Sequence, residues 1–309
     1  MLQNRERMKG MNQPTIQPTT PGVPVKVTNS KAVRWLALYK KLAKNKAAMV
    51  GAFIVLIFIV LAILAPWIAP HDPLDIQMAK KLQTPSAEHW FGTDDKGRDI
   101  LSRILYGARI SLTVGIVSTV IGAIVGVFLG IVAGFYGRWI DSLIMRICDV
   151  LLAFPGILLA LAIVSVLGPS TFNVILAVAF FAVPTFARIV RGSTLSVKKL
   201  EYIDAIRAMG SSDGRIIFKH ILPNIVSPII VQATLYIASA IIIASALSFL
   251  GMGTQPPTPE WGMMLSQGRS YVAQAPHLTL FPGLVILVVV IGFNLFGDGL
   301  RDALDPKSK

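Results

Sequence analysis

Runs of about 20 consecutive apolar residues, each long enough to cross the roughly 30 Å hydrocarbon core of a bilayer, recur along this chain and restrict its fold more than any other feature. Six spans are read, at about 47–68, 110–134, 146–167, 172–190, 228–250 and 279–298. Lipid offers the backbone no hydrogen-bond partner, so each span must be a helix. The runs are continuously apolar rather than alternating, which argues against a barrel. The expected class is an all-α polytopic membrane protein with six transmembrane helices. Only 15% of the 309 residues are charged, against about 25% in a soluble domain, and the mean hydropathy is +0.66.

The net charge of +13 invites a nucleic-acid reading, but its placement speaks against one. With the N-terminus inside, segments 1–46, 135–146, 187–227 and 300–309 face the cytoplasm and hold 22 of the 29 Lys and Arg residues; the outer segments hold 7. This is the positive-inside asymmetry, with both termini cytoplasmic. Residues 1–29, rich in Pro and Thr over 12–25, read as a disordered tail. Residues 30–46 place apolar and basic positions at helical spacing; an interfacial amphipathic helix is expected, with a solvated basic lead-in as the alternative. No cleavable signal peptide is expected. The remaining organisation is a first span at 47–68, an outer loop at 69–109, a core at 110–306 containing a cytoplasmic loop at 191–227, and a short cytoplasmic tail at 307–309.

Within the second span, Gly122, Gly126, Gly130 and Gly134 recur every fourth residue after Ser118, a ridge for close helix packing rather than chemistry. Arg146 and Asp149 are spaced to pair on one helix face. Pro155 and Pro184 are expected to kink their helices. Two roles fit Gln232 and Asn294: lining a polar path, or bonding a neighbouring helix. No catalytic residue or metal site is assigned. The phosphate loop G-x-x-x-x-G-K-S/T, the H-E-x-x-H zinc pair and the G-x-S-x-G elbow are all missing. Cys148 is the lone cysteine, so no intramolecular disulfide forms.

Between the fourth and fifth spans stands YIDAIRAMGSSDGRIIFKHILPN, Tyr202 to Asn224. Tyr202, Ile203, Ile206 and Met209 make the apolar side of a short helix that shows Asp204 and Arg207 on its other face. Gly210 ends it, Ser211 or Ser212 caps a second helix, and Pro223 is expected to stop that one. A helix this short is marginal alone; docking into a partner and packing on its own bundle fit the residues equally.

This segment resembles the cytoplasmic loop of ABC importer permeases, E-A-A, three residues, G, nine residues, I-x-L-P. Here it reads Asp204-Ala205-Ile206, Gly210, residues 211–219, then His220-Ile221-Leu222-Pro223. Asp replaces Glu, Ile206 the second Ala, and His220 the Ile. Phe91–Leu112, FGTDDKGRDILSRILYGARISL, and Gly297–Pro306, GDGLRDALDP, are similar to the dipeptide/oligopeptide/nickel branch of that family. The resemblance implies a type I importer permease fold in a bacterial or archaeal cell membrane and a peptide-class substrate. It implies coupling to ATPases through Asp204, Ala205, Ile206, Met209, Gly210, Leu222 and Pro223. The implied partners are a second permease, two cytoplasmic ATPases that carry ATP and Mg, and an extracytoplasmic binding protein meeting the outer loops. No cofactor is expected on this chain. Rival classes are a secondary transporter or channel, which needs midplane ion-coupling groups, and a membrane enzyme, which needs a catalytic constellation.

Overall fold

The computed structural model describes residues 41–304. The tail at 1–29, most of the 30–46 segment and residues 307–309 therefore lie outside the described residues. Asn45 opens α1 (Lys46–Ile68), its side chain accepting the Ala48 N–H at 3.1 Å. After a loop with one 3₁₀ turn comes α2 (Ile100–Tyr136), followed by α3 (Arg138–Ala153), α4 (Gly156–Leu167) and α5 (Thr171–Lys198). A hairpin of α6 (Glu201–Ala208) and α7 (Asp213–Ile216) leads through a π-helical segment, Ile217–Ile221, into α8 (Leu222–Phe249). α9 (Trp261–Gly268) and α10 (His277–Leu304) complete the chain. Among the described residues the only extended pairing is an isolated antiparallel bridge between Thr93 and Asp99.

Five helical stretches are long and apolar enough to cross a membrane, and the α3–α4 pair makes a sixth only if a 91° bend is allowed within it. That bend corrects the expectation of one span at 146–167. The residue before a proline is driven out of the helical region; Phe154 accordingly takes φ −87°, ψ 139°, and Pro155 opens α4 instead of kinking a continuous rod. Pro184, by contrast, lies inside unbroken α5. The expected Arg146–Asp149 pair is also corrected: the Asp149 carboxylate accepts from Arg188 of α5 at 2.6 Å. Nearby, Arg191 of α5 pairs through two nitrogens with Asp141 of α3.

α2 packs most extensively on α5, and its glycine ridge is the reason. A Cβ added at Gly122, Gly126, Gly130 or Gly134 would lie 2.3–2.8 Å from Ala182, Phe186, Ala187 or Thr194 respectively, distances no real Cβ tolerates. In lipid, where burial of apolar surface gives no drive, such backbone approach supplies the packing energy. A second seam, without a four-residue period, joins α1 to α10: a Cβ on Gly51 would meet the Phe296 nitrogen at 2.6 Å, and one on Gly299 the Ala48 Cβ at 2.0 Å. The central core gathers Val164, Val178, Phe186, Tyr236 and Leu247 from α4, α5 and α8.

Candidate functional site

Two polar constructions close the opposite ends of the bundle. At one end is the α6–α7 hairpin. Its first helix finishes in paired reverse bonds, Gly210 N–H to Arg207 O at 2.9 Å and Ser211 N–H to Ile206 O at 3.3 Å, the pattern that requires a left-handed residue after the cap. Gly210 supplies it with φ +82°. A Cβ there would meet nothing within 4 Å, so the need for glycine within this chain is conformational and not spatial. Ser212 occupies the N-cap position of α7 without a side-chain bond, and the Ser211 hydroxyl is buried with no partner.

The expected apolar side of α6 divides in two. Ile203 is fully buried with Ile216, Ile221 and Ile225 against Ile131, Phe135 and Val190, and Ile206 and Leu222 pack on that cluster. Tyr202 and Met209 point away; Met209 is 78% exposed. Asp204, Ala205 and Gly210 are exposed with them, and Asp204 makes no hydrogen bond or ion pair among the described residues. Two polar contacts hold the hairpin in place, Arg207 over the Phe135 ring at 5.6 Å and Asn224 Nδ2 bridging His220 O and the Tyr202 hydroxyl; beside them Lys198 Nζ of α5 donates to Phe135 O of α2.

Pro223 does not stop a helix; Asp213–Phe249 runs as one 37-residue stretch. A proline removes an N–H and its ring collides with the carbonyl four residues back. The π turn at Ile217–Ile221 widens the helix immediately before Pro223, the usual way of inserting an extra residue without breaking a rod. It also sets Ile216 and Ile221, five apart, on the same buried side.

At the other end, residues 69–99 fold over the start of α2. Arg98 and Arg103, each 1% exposed, surround Asp94: Arg98 Nε lies 2.7 Å and Arg103 Nε 3.5 Å from Asp94 Oδ2. Asp94 Oδ1 accepts the N–H groups of Lys96 and Arg98. Both guanidinium groups reach Gln267 Oε1 at 3.4 Å, and Arg103 also donates to Pro73 O, which ties the loop to the α9 region. Buried Glu260 caps α9, accepting from Gly262 and Met263; burial pushes its carboxyl above the ordinary range, partly offset by those N–H donors. Trp261 is fully buried beside it and donates to Ile104 O at 3.0 Å.

Of the two path candidates, Gln232 lines a cavity of about 430 Å³ with Ser227, Pro228, Leu235 and Arg301. Asn294 is exposed on α10 and is not part of that lining. Sequence reasoning missed Arg301 here, and it missed the Asp94–Arg98–Arg103 cluster as a buried unit; the four-residue spacing of Asp94 and Arg98 was its one local sign.

Residues 126–309 match the family described as binding-protein-dependent transport system inner membrane component, and residues 34–85 match the N-terminal TM domain of oligopeptide transport permease C. The chain is 54% identical over 275 residues to the dipeptide transport system permease protein DppC of Alkalihalophilus pseudofirmus, covering 89% of this chain and 90% of that one. It is 52% identical over 276 residues to the glutathione transport system permease protein GsiD of Escherichia coli, covering 89% and 91%. An inward-facing structure of the MetNI methionine ABC transporter shares its fold, with a TM-score of 0.54 at 19% identity over 67% of this chain and 98% of that one. This chain belongs to the binding-protein-dependent transport system inner membrane component family, the multi-pass membrane permeases of ABC importers.

Proposed function

We propose that this chain is one of two permeases in an ATP-driven importer of small peptides, and that its α6–α7 hairpin couples it to cytoplasmic ATPases. The observation that carries the coupling is the division of the hairpin's surface. Ile203, Ile216 and Ile221 fix it to the bundle, while Ala205, Met209 and Gly210 form an exposed ridge beside unpaired Asp204. A firmly mounted ridge with small residues and one long apolar side chain suits a protein groove, and ATP-driven movement of that groove would bias the spans between two orientations. The peptide class rests on the dipeptide and glutathione permeases that the chain resembles. The exposed Trp90, Ile76 and Met78 of the 69–99 loop would meet the substrate-binding protein.

Reconstitution tests this reading. The purified chain in liposomes is expected to move no peptide and hydrolyse no ATP; adding a second permease, both ATPases and the binding protein should give ATP-dependent uptake. Uptake by the chain alone under an ion gradient would make it a secondary transporter instead. The same reading puts the hairpin in the cytoplasm, which the 22-to-7 division of basic residues supports. In a Cys148→Ser background, Ala208→Cys should react with an impermeant maleimide only in inverted vesicles and Trp90→Cys only in intact cells. Labelling of position 208 in intact cells would reverse the topology.

A further inference from the structure

The loop between α1 and α2 also holds a group of side chains that none of these roles uses. His71, Glu88 and His89 each present one ligating atom, and the three atoms lie within 4.8 Å of one another. The imidazoles are 4.6 Å apart, centre to centre, and inclined by 35°.

His89 is 2% exposed. Its Nδ1 lies 3.0 Å from Asp99 Oδ1, whereas its Nε2 is buried with no hydrogen-bond partner. A neutral imidazole that donates a hydrogen bond from its Nδ1–H to a carboxylate carries a bare lone pair at Nε2, and this carboxylate–histidine arrangement is the one that orients metal-binding histidines. Leaving that lone pair buried and unused costs its desolvation. His71 Nδ1 is likewise buried and unpartnered, 3.8 Å from the same Asp99 oxygen. The His71 backbone N–H donates to Ser102 Oγ at 3.1 Å, and Ser102 Oγ donates to Asp99 Oδ2 at 2.8 Å, so the first turn of α2 holds the His71 backbone and, through Asp99, the His89 ring. Glu88 is the exposed member. Its carboxylate accepts from Lys80 Nζ at 2.6 Å, and that contact holds the carboxyl below its ordinary range.

We propose that His71, His89 and Glu88 form a binding site for a divalent transition-metal ion of the zinc class, with the fourth position left to water. Two imidazoles and a carboxylate suit zinc and its neighbours, and not magnesium or calcium, which prefer all-oxygen shells. Ligand atoms around tetrahedral zinc stand about 3.4 Å apart, given bonds of about 2.0–2.2 Å. The site therefore closes when the exposed Glu88 side chain leaves Lys80 and swings inward. Closure would clamp the segment that follows α1 to the loop that precedes α2.

The test uses the full-length chain, purified without a polyhistidine tag and stripped with a chelator. Calorimetric titration with Zn²⁺ should show one ion per chain, and Zn²⁺ should raise the midpoint of thermal unfolding while Mg²⁺ does not. Glu88→Gln and His71→Gln should each weaken Zn²⁺ affinity by about tenfold or more, the scale on which lost coordination partners are felt. Since Glu88 is exposed, its variant should match the parent's metal-free unfolding midpoint, so weaker binding there is loss of a ligand and not of the fold. Absence of stoichiometric Zn²⁺ binding overturns the proposal, as does binding of unchanged affinity in both variants.

Discussion

Asp94→Ala is expected to destabilise the chain by about 3–5 kcal/mol, the usual cost of stranding a buried charge. Two guanidinium groups, Arg98 and Arg103, are each 1% exposed and share this one close carboxylate; Asp95 lies 3.8 Å from Arg98 and cannot replace it. The loss extends beyond charge, because Asp94 Oδ1 also accepts the Lys96 and Arg98 N–H groups that shape the turn. The unfolding midpoint of the detergent-solubilised protein should fall by about 10 °C. Adding Arg98→Met to Asp94→Ala should cost less than the two single losses summed, since the stranded cation is removed with its partner. An unchanged midpoint in Asp94→Ala would mean that water, and not this carboxylate, compensates the two arginines.

Gly210→Val should abolish ATP-dependent uptake in the reconstituted complex while leaving insertion and folding intact. The residue has φ +82°, where a β-branched side chain is strongly disfavoured, so the end of α6 must unwind or turn. Nothing in this chain lies within 4 Å of the added Cβ, and the buried anchors at Ile203, Ile216 and Ile221 are untouched. Gly210→Asn separates two causes, since asparagine tolerates left-handed geometry. If backbone conformation is the requirement, Gly210→Asn should keep most of the uptake. Failure of both variants would point to lack of space against the ATPase, and normal uptake in Gly210→Val would remove the hairpin from the coupling pathway.

The spans were readable because lipid imposes one rule on every residue of a segment, and the Gly122–Gly134 ridge because its period matches the helix. The α1–α10 seam through Gly51 and Gly299 has no such period and went unseen. What failed were properties that depend on a neighbour. The apolar positions of α6 fit a single helical face, yet which of them point inward was decided by Phe135 and Ile216, elements distant in sequence or beyond the turn. Pro223 looked like a terminator because a local rule has no term for the π turn before it. The second span appeared to begin at 110 because Arg103 and Arg109 interrupt the apolar run; α2 starts at Ile100, and its first turns belong to the polar cap. His71 and His89 are separated by 17 intervening residues, and only the fold of the loop brings their rings together.

The glycine ridge has a mechanical consequence. From Gly122 to Gly134 it runs along about 18 Å of helix axis, and the nearest atoms it meets on α5 are backbone atoms, Cβ atoms and a Thr194 methyl, not the far ends of long side chains. α2 and α5 are thus locked against both sliding and rolling, like splined shafts. α5 ends at Lys198 and the hairpin begins at Glu201, so only Lys199 and Leu200 separate α5 from the first helix of the hairpin. A push on the hairpin cannot be absorbed along the spline. It must be taken up at an elbow, and the chain offers two at the margins of this rigid pair: the short Lys199–Leu200 link, and the right-angle break at Phe154–Pro155, where α4 joins the face of α5.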